Sequence, residues 1–162
     1  MAAAFAAGLA GGSYLDFGKR GAVAVTSARG EEAASPVPAP SAGHGGYPAE
    51  VLRVTDGDTF EARVGVWPGI AITTRVRLRG IDTPELKARC AEERSKAEAA
   101  RAALAKILQQ GRVEISAVAI DKFGGRVDAD VSTLSTPDVA AALLQAGLGR
   151  PYGGGRRDAW CS

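Results

Sequence analysis

The spacing of apolar residues predicts several short strands from Pro48 onward. Apolar and polar residues alternate over residues 50–56 and 59–66, and an Asp-Gly turn joins these two segments. A longer strand is predicted over residues 70–81, where aliphatic residues and threonine occupy one face and three arginines occupy the other. The chain therefore begins its ordered part with three predicted strands.

A long helix is predicted after the third strand. Thr83-Pro84-Glu85 combines a threonine cap, a proline in the first helical position and an acidic residue in the first turn. Gly111 is a suitable stop for a helix that reaches about Gln110. Five residues form the predicted inward stripe of this helix: Ala97, Ala100, Leu104, Ile107 and Leu108.

Two more strands, over residues 112–120 and 126–131, and a second helix from Thr136 to Gly147 complete the predicted order. Three strands, a helix, two strands and a helix is the order of an α+β, mainly β, fold. It is that of a five-stranded Greek-key OB barrel, with the long helix between strands 3 and 4 and the second helix after strand 5. The order alone does not separate this barrel from another small α+β fold.

The first 47 residues have a different composition. Residues 1–18 form an apolar N-terminal segment that begins with the small, apolar run MAAAFAAGLAGG, as in an export signal or anchor, although no Lys or Arg precedes this run. That run is also shorter than the roughly 20 apolar residues of a membrane span. Residues 19–47 contain a Pro/Ala/Ser/Gly tract that predicts a disordered linker. A signal or anchor and a disordered tail both remain open, and the domain is expected over residues 48–162.

Composition narrows the function only slightly. A chain of 162 residues fits one domain, and its net charge of +2 does not by itself indicate nucleic acid or membrane. Two cysteines and one histidine are too few for a persuasive zinc site. Most basic residues after Tyr47 are arginines, which suit bidentate contact with phosphate or carboxylate.

Four motifs carry the candidate chemistry: DGDT at residues 56–59, RLRGIDTPE at 77–85, DKFGGR at 121–126 and QAGLGRPY at 145–152. In this order and at these intervals they resemble the thermonuclease (staphylococcal nuclease-like) family. The resemblance implies an OB barrel that uses calcium to hydrolyse phosphodiester bonds of DNA and RNA. It further implies that water attacks phosphorus and the 5′ oxygen leaves, giving 3′-phosphate ends.

The resemblance implies that Asp58, Asp82 and the backbone carbonyl of Thr83 bind Ca²⁺. A hard cation takes several oxygen ligands, and two carboxylate-bearing turns on neighbouring strands supply them. The alternative for the first turn is purely conformational, because Asp and Gly tolerate left-handed backbone.

Three further residues are implied to act on the phosphate. Glu85 would activate or orient the attacking water, and its alternative is an acidic residue that favours a helix start. Arg77 and Arg126 would hold the phosphate and stabilise its charge. The family usually reads Asp-Lys-Tyr-Gly-Arg where this chain has one extra glycine and Phe123 in place of Tyr, so the reach of Arg126 is in question.

The resemblance also indicates how a nucleic acid would be bound. Lys122, Phe123 and Tyr152 are the expected substrate-binding residues, and aromatic stacking favours single strands with little sequence preference. Either aromatic residue could instead belong to a small satellite core. The expected partners are therefore DNA and RNA, preferably single-stranded, with a possible membrane tether through the N-terminus, and the protein is expected to be a monomer.

The chain lacks the longer C-terminal helical extension of the best-known family members. We hypothesise a disulfide between Cys90 and Cys161 that ties down the tail, against the alternative of two thiols in a reducing compartment. The expected location is secreted, periplasmic or envelope-associated, with a cytoplasmic location as the alternative.

Three functions from different classes remain. The leading one is a calcium-dependent nuclease, because Asp58, Asp82 and Glu85 occur together. The others are a non-catalytic OB module that binds nucleic acid, and a partner-binding domain on a membrane tether.

Overall fold

A computed structural model describes residues 45–122 and 124–161, which form seven strands and two helices. The predicted apolar segment at residues 1–18 and the linker up to residue 44 lie outside the described residues. In chain order the elements are β1 (Tyr47–Asp56), β2 (Thr59–Trp67), β3 (Ile70–Leu78), β4 (Ile81–Asp82), α1 (Ala91–Leu108), β5 (Val113–Ile120), β6 (Arg126–Thr133), α2 (Val139–Gln145) and β7 (Arg150–Pro151). Neither described helix is long and apolar enough to cross a membrane.

Five of the strands close into a barrel in the order β1-β2-β3-β6-β5. The β3–β6 pair is parallel, and the other barrel pairs are antiparallel. The two short strands β4 and β7 form a separate antiparallel pair. This arrangement confirms the predicted mainly β fold with an OB-type barrel and a long helix between its third and fourth strands.

The core fills the barrel and the face of α1 that packs on it. Alternate residues of β2 point inward, and α1 contributes four of the five predicted stripe residues, while Ile107 is only partly buried. The largest fully buried apolar side chains include Phe60, Val76, Leu78, Leu104 and Ile115. Burial of these side chains is the main favourable contribution to the fold.

The predicted start of the long helix is wrong. The helix begins at Ala91, with Cys90 as an N-cap that makes no side-chain hydrogen bond, and residues 83–90 are irregular. Asp82 is paired with Arg150 in the β4–β7 ladder, and Thr83 is buried beside it. These tertiary contacts hold the chain in an extended form where the local Thr-Pro-Glu signal favours a helix.

The predicted third strand is divided for a related reason. β3 ends at Leu78, and the chain turns at Gly80, whose φ is +80°, before it re-enters β4. The Tyr152 amide donates to the Gly80 carbonyl at 2.9 Å, which extends the contact with β7. The turn therefore brings the C-terminal part of the chain beside Asp82.

The turn before β2 lies directly against α1 at Gly57. A Cβ atom at this position would be 2.6 Å from the Ala100 Cβ and 2.8 Å from the Thr83 Oγ1. We expect Gly57→Ala to lower the free energy of unfolding by about 1–3 kcal/mol through overpacking, measured by chemical denaturation. Gly153→Ala is the control, because a Cβ there meets no described atom within 4 Å. Equal stability of the two variants would show that the turn is not held against the helix.

Candidate active site

Asp58 is fixed at the turn between β1 and β2. Its backbone carbonyl accepts a hydrogen bond from the Leu78 amide at 2.8 Å, which ties the turn to the end of β3. Its carboxylate accepts from the Thr59 hydroxyl at 2.7 Å, and the residue is 6% exposed. The turn thus orients the Asp58 carboxylate inward. The residues of this turn therefore place a charged group in addition to setting the backbone conformation.

Asp58 and Asp82 converge on the guanidinium of Arg77. The Arg77 Nη2 atom lies 2.9 Å from Asp58 Oδ2 and 3.7 Å from Asp82 Oδ1. It also donates to the Ile81 carbonyl at 3.2 Å. All three charged side chains are buried. Two carboxylates that are far apart in sequence therefore meet at one buried point, as a shared cation site requires.

A small cavity of about 40 Å³ opens beside this cluster. It has room for about one water molecule or one ion. Its oxygen-bearing wall contains five residues: Asp56, Asp58, Thr59, Thr83 and Glu85. Arg77, Arg126 and Arg157 line the same cavity, and the buried Oδ1 atom of Asp82 lies 3.0 Å from the Nε atom of Arg157. The carboxylate and hydroxyl oxygens grouped around this space are ligands that fit a hard divalent cation such as Ca²⁺.

The pKa values of two carboxyl groups at the cluster are raised. Burial raises the pKa of the Asp82 carboxyl, the charge of Asp58 raises it further, and Arg157 and Arg77 oppose the rise. Burial also raises the pKa of Asp56, with added contributions from Glu85 and Asp58. Burial is thus the main cause of both raised pKa values, and the neighbouring carboxylates add to it while the arginines oppose it.

A larger cleft of about 690 Å³ adjoins the small cavity. Its wall includes Arg77, Glu85, Lys122, Arg126, Tyr152 and Arg157. The Tyr152 ring centroid lies 5.5 Å from the Arg77 guanidinium carbon, and its hydroxyl donates to the Gly155 carbonyl at 2.8 Å. The predicted Phe123 lies outside the described residues. The other two predicted substrate-binding residues thus share one cleft with the predicted phosphate-binding arginines.

Arg126 reaches the site in spite of the extra glycine. Gly124 and Gly125 both have positive φ, and both precede β6. The parallel register pairs Arg126 with Arg75 of β3, two positions before Arg77. Arg126 forms an ion pair with Asp121 and lines both the small cavity and the cleft. The ladder between β3 and β6 fixes the backbone of Arg126, and the ion pair with Asp121 holds its side chain at the cleft.

The family model described as "Staphylococcal nuclease homologue" matches residues 75–158 of the chain. The chain belongs to this family. No match was found among curated proteins. The family supports a nuclease-like or nucleic-acid-related function for the barrel and its cleft. Within this staphylococcal nuclease homologue, Arg77, Glu85 and Arg126 lie inside the matched range, whereas Asp58 precedes it.

Arg157 is a site residue of this staphylococcal nuclease homologue that sequence reasoning missed. Its Nε atom lies 3.0 Å from Asp82 Oδ1, and its Nη1 atom forms an ion pair with Glu85. Burial alone would lower the pKa of Arg157, but the charges of Asp82 and Glu85 outweigh it and raise the pKa. The signal was present in the Gly- and Arg-rich tail, because a disulfide to Cys161 would bring that tail to the start of α1.

The C-terminal strap, residues 153–161, is held at the site by several contacts. Cys161 is bonded to Cys90, so the structure contains the hypothesised disulfide. Arg150 donates to the Ala159 carbonyl at 3.1 Å, and its guanidinium carbon lies 3.6 Å from the Trp160 ring centroid. The strap therefore has a covalent anchor and a stacked cation–π contact.

Glu93 is a second residue that sequence reasoning missed, because an acidic residue in the first turn of a helix is usually solvated. It is only 8% exposed, and its Oε1 accepts from the Glu85 amide at 3.3 Å. It also lies close to Cys90 and Cys161. Since both sulfurs are used in the disulfide, this group does not present thiolate ligands, and Glu93 supports the backbone beneath Glu85.

The disulfide closes a long loop, with a sequence separation of 71 residues between its cysteines. We expect reduction to lower the free energy of unfolding by about 2–4 kcal/mol, because the reduced unfolded chain gains conformational entropy. Denaturant titration with and without reductant measures this difference. The Cys90→Ser/Cys161→Ser double variant is the control and should not respond to reductant. A reductant effect as large in the double variant would contradict this account.

Proposed function

We propose that this protein is a calcium-dependent nuclease that hydrolyses phosphodiester bonds of DNA and RNA with low sequence specificity. The observation that carries the proposal is the meeting of Asp58 and Asp82 at one buried point beside Glu85, at the end of an arginine-lined cleft. Membership of the staphylococcal nuclease homologue family supports the same activity.

The proposed roles follow from where each side chain lies. Asp58, Asp82 and the Thr83 carbonyl would hold Ca²⁺, which supplies positive charge that polarises the phosphoryl group. Glu85, on the wall shared by the small cavity and the cleft, accepts the proton of the attacking water. As water bonds to phosphorus, the bond to the 5′ oxygen breaks and leaves a 3′-phosphate.

The two arginines stabilise the charge that develops on the phosphate oxygens. Arg77 uses Nη2 for Asp58 and the Ile81 carbonyl, and its guanidinium also lines the cleft. Arg126 lines the same cleft from β6. Two guanidinium groups on adjacent strands can donate to one phosphate from two sides, and such preorganised donors stabilise a transition state more than a mobile charge does.

Single-stranded nucleic acid is the proposed preferred substrate. Tyr152 offers a ring face beside the arginines, and Lys122 adds positive charge to the same cleft. Stacking of a base on an aromatic ring requires that the base be unpaired. The Cys90–Cys161 disulfide supports an oxidising location, either secreted, periplasmic or envelope-associated.

Calcium should restore cleavage of heat-denatured DNA after chelation, and Glu85→Gln should abolish most of it. Loss of a general base typically costs about 10²–10⁴-fold in turnover. The measurement is release of acid-soluble nucleotide at saturating substrate. Glu92→Gln is the matched control, because Glu92 is an exposed α1 residue paired with Lys96.

A wild-type protein that binds single strands in a salt-sensitive manner but gives no product at any calcium concentration would establish the non-catalytic OB module instead. Equal turnover of Glu85→Gln and wild type would remove Glu85 from the mechanism while leaving the activity in place.

Arg126→Ala should lower kcat/KM for denatured DNA by roughly 10²-fold or more, because a transition-state donor is lost. The same assay on Arg94→Ala, an exposed arginine of α1, controls for the loss of one positive charge. Circular dichroism checks that both variants are folded. Kinetics of Arg126→Ala that match the control would show that this guanidinium does not contact the phosphate.

A further inference from the structure

The guanidinium of Arg157 lies between a proposed cation ligand and the proposed base. It contacts Asp82 through Nε at 3.0 Å and Glu85 through Nη1. It also lines the small cavity together with Asp58 and Thr83. A positive group thus already satisfies part of the negative charge that a divalent cation would use.

This contact differs from that of Arg77. Arg77 is 7% exposed and belongs to β3, so it is part of the barrel itself. The Arg157 side chain is 35% exposed and lies on the C-terminal strap, after Gly153, Gly154 and Gly155. Glycines allow the backbone to change direction at low steric cost. Arg157 can therefore leave its carboxylates without disruption of the barrel.

We propose that Arg157, which also pairs with Glu85, is an internal counter-ion that competes with the divalent cation for Asp82. The inference rests on the proposed calcium site. Cation binding requires that Arg157 leave Asp82. The apparent affinity of the site for the cation is therefore lowered in proportion to the fraction of molecules in which the guanidinium already occupies Asp82. Arg157 acts on the cation through these carboxylates and is a positioning residue.

The disulfide makes this competition effective. Cys161 is four positions after Arg157 and is bonded to Cys90, while Arg150 stacks on Trp160 at 3.6 Å. The tether keeps the guanidinium close to its carboxylates, at a high effective concentration. A strap that is cut loose from Cys90 would spend less time on Asp82 and Glu85, and the cation would compete more easily.

Calcium titration of the full chain without nucleic acid tests the proposal directly. Isothermal titration calorimetry at constant ionic strength should give about two- to fivefold tighter Ca²⁺ binding for Arg157→Gln than for wild type, the range expected for loss of a partly exposed ion pair. Arg156→Gln is the matched control. Arg156 is exposed and makes no ion pair with any residue that the structure describes. Its substitution removes the same charge one position away.

A second pair of variants tests the tether. Cys90→Ser/Cys161→Ser should also tighten Ca²⁺ binding, but it should add little in the Arg157→Gln background, since the competing group is already gone. Non-additivity of the two changes is the signature of a shared mechanism. Thermal unfolding confirms that each variant is folded at the titration temperature.

The outcomes are distinct. Unchanged or weaker Ca²⁺ binding by Arg157→Gln would overturn the inference, as would equal tightening by Arg156→Gln, which would indicate a general charge effect. Wild-type binding that is lost in Asp58→Asn but unaffected by Arg157→Gln would leave the calcium site standing and remove only the competition. Absence of Ca²⁺ binding in wild type and all variants would overturn the calcium site and the inference with it.

Discussion

The buried pairing of Arg77 with Asp58 and Asp82 is the interaction on which this site depends. Removal of these ions from water costs several kcal/mol per group, and only close pairing and additional hydrogen bonds offset that cost. Thr59 and the Ile81 carbonyl supply such bonds. Because one guanidinium serves two carboxylates, the cluster keeps an excess of negative charge. The pairing that ties the β1–β2 turn to β3 and β4 therefore leaves one negative charge that a further positive group can balance.

The C-terminal strap supplies part of this positive charge through Arg157. Its ordering depends on a covalent bond to the residue that precedes α1 and on the packing of Trp160 against Arg150. Glu93, buried under the same region, accepts from the Glu85 amide. The irregular segment at residues 83–90 is therefore held from both sides, which explains how a backbone without regular structure can keep a carboxylate at a fixed place.

The fold and the site differed in how far the sequence could predict them. Alternation identified the barrel strands, and the apolar stripe of α1 identified the face that packs on the barrel, because both patterns are local consequences of burial. The start of α1 was placed at Thr83 because its capping signal is local, whereas the pairing of Asp82 with β7 that overrides it is not. Arg157 and Glu93 were missed for the same reason. Their neighbours at the site, Asp82 and the Glu85 amide, are set by the tertiary structure and leave no periodic signal.

The parallel register of β3 and β6 separates the position of Arg126 from the length of the turn that precedes it. Arg126 is aligned with Arg75 by the ladder, and Gly124 and Gly125 of the turn precede β6. The ion pair with Asp121, at the other end of the turn, holds the guanidinium from the opposite side. A turn of another length would therefore present a different loop to a ligand, while strand pairing would keep the backbone of Arg126 in place.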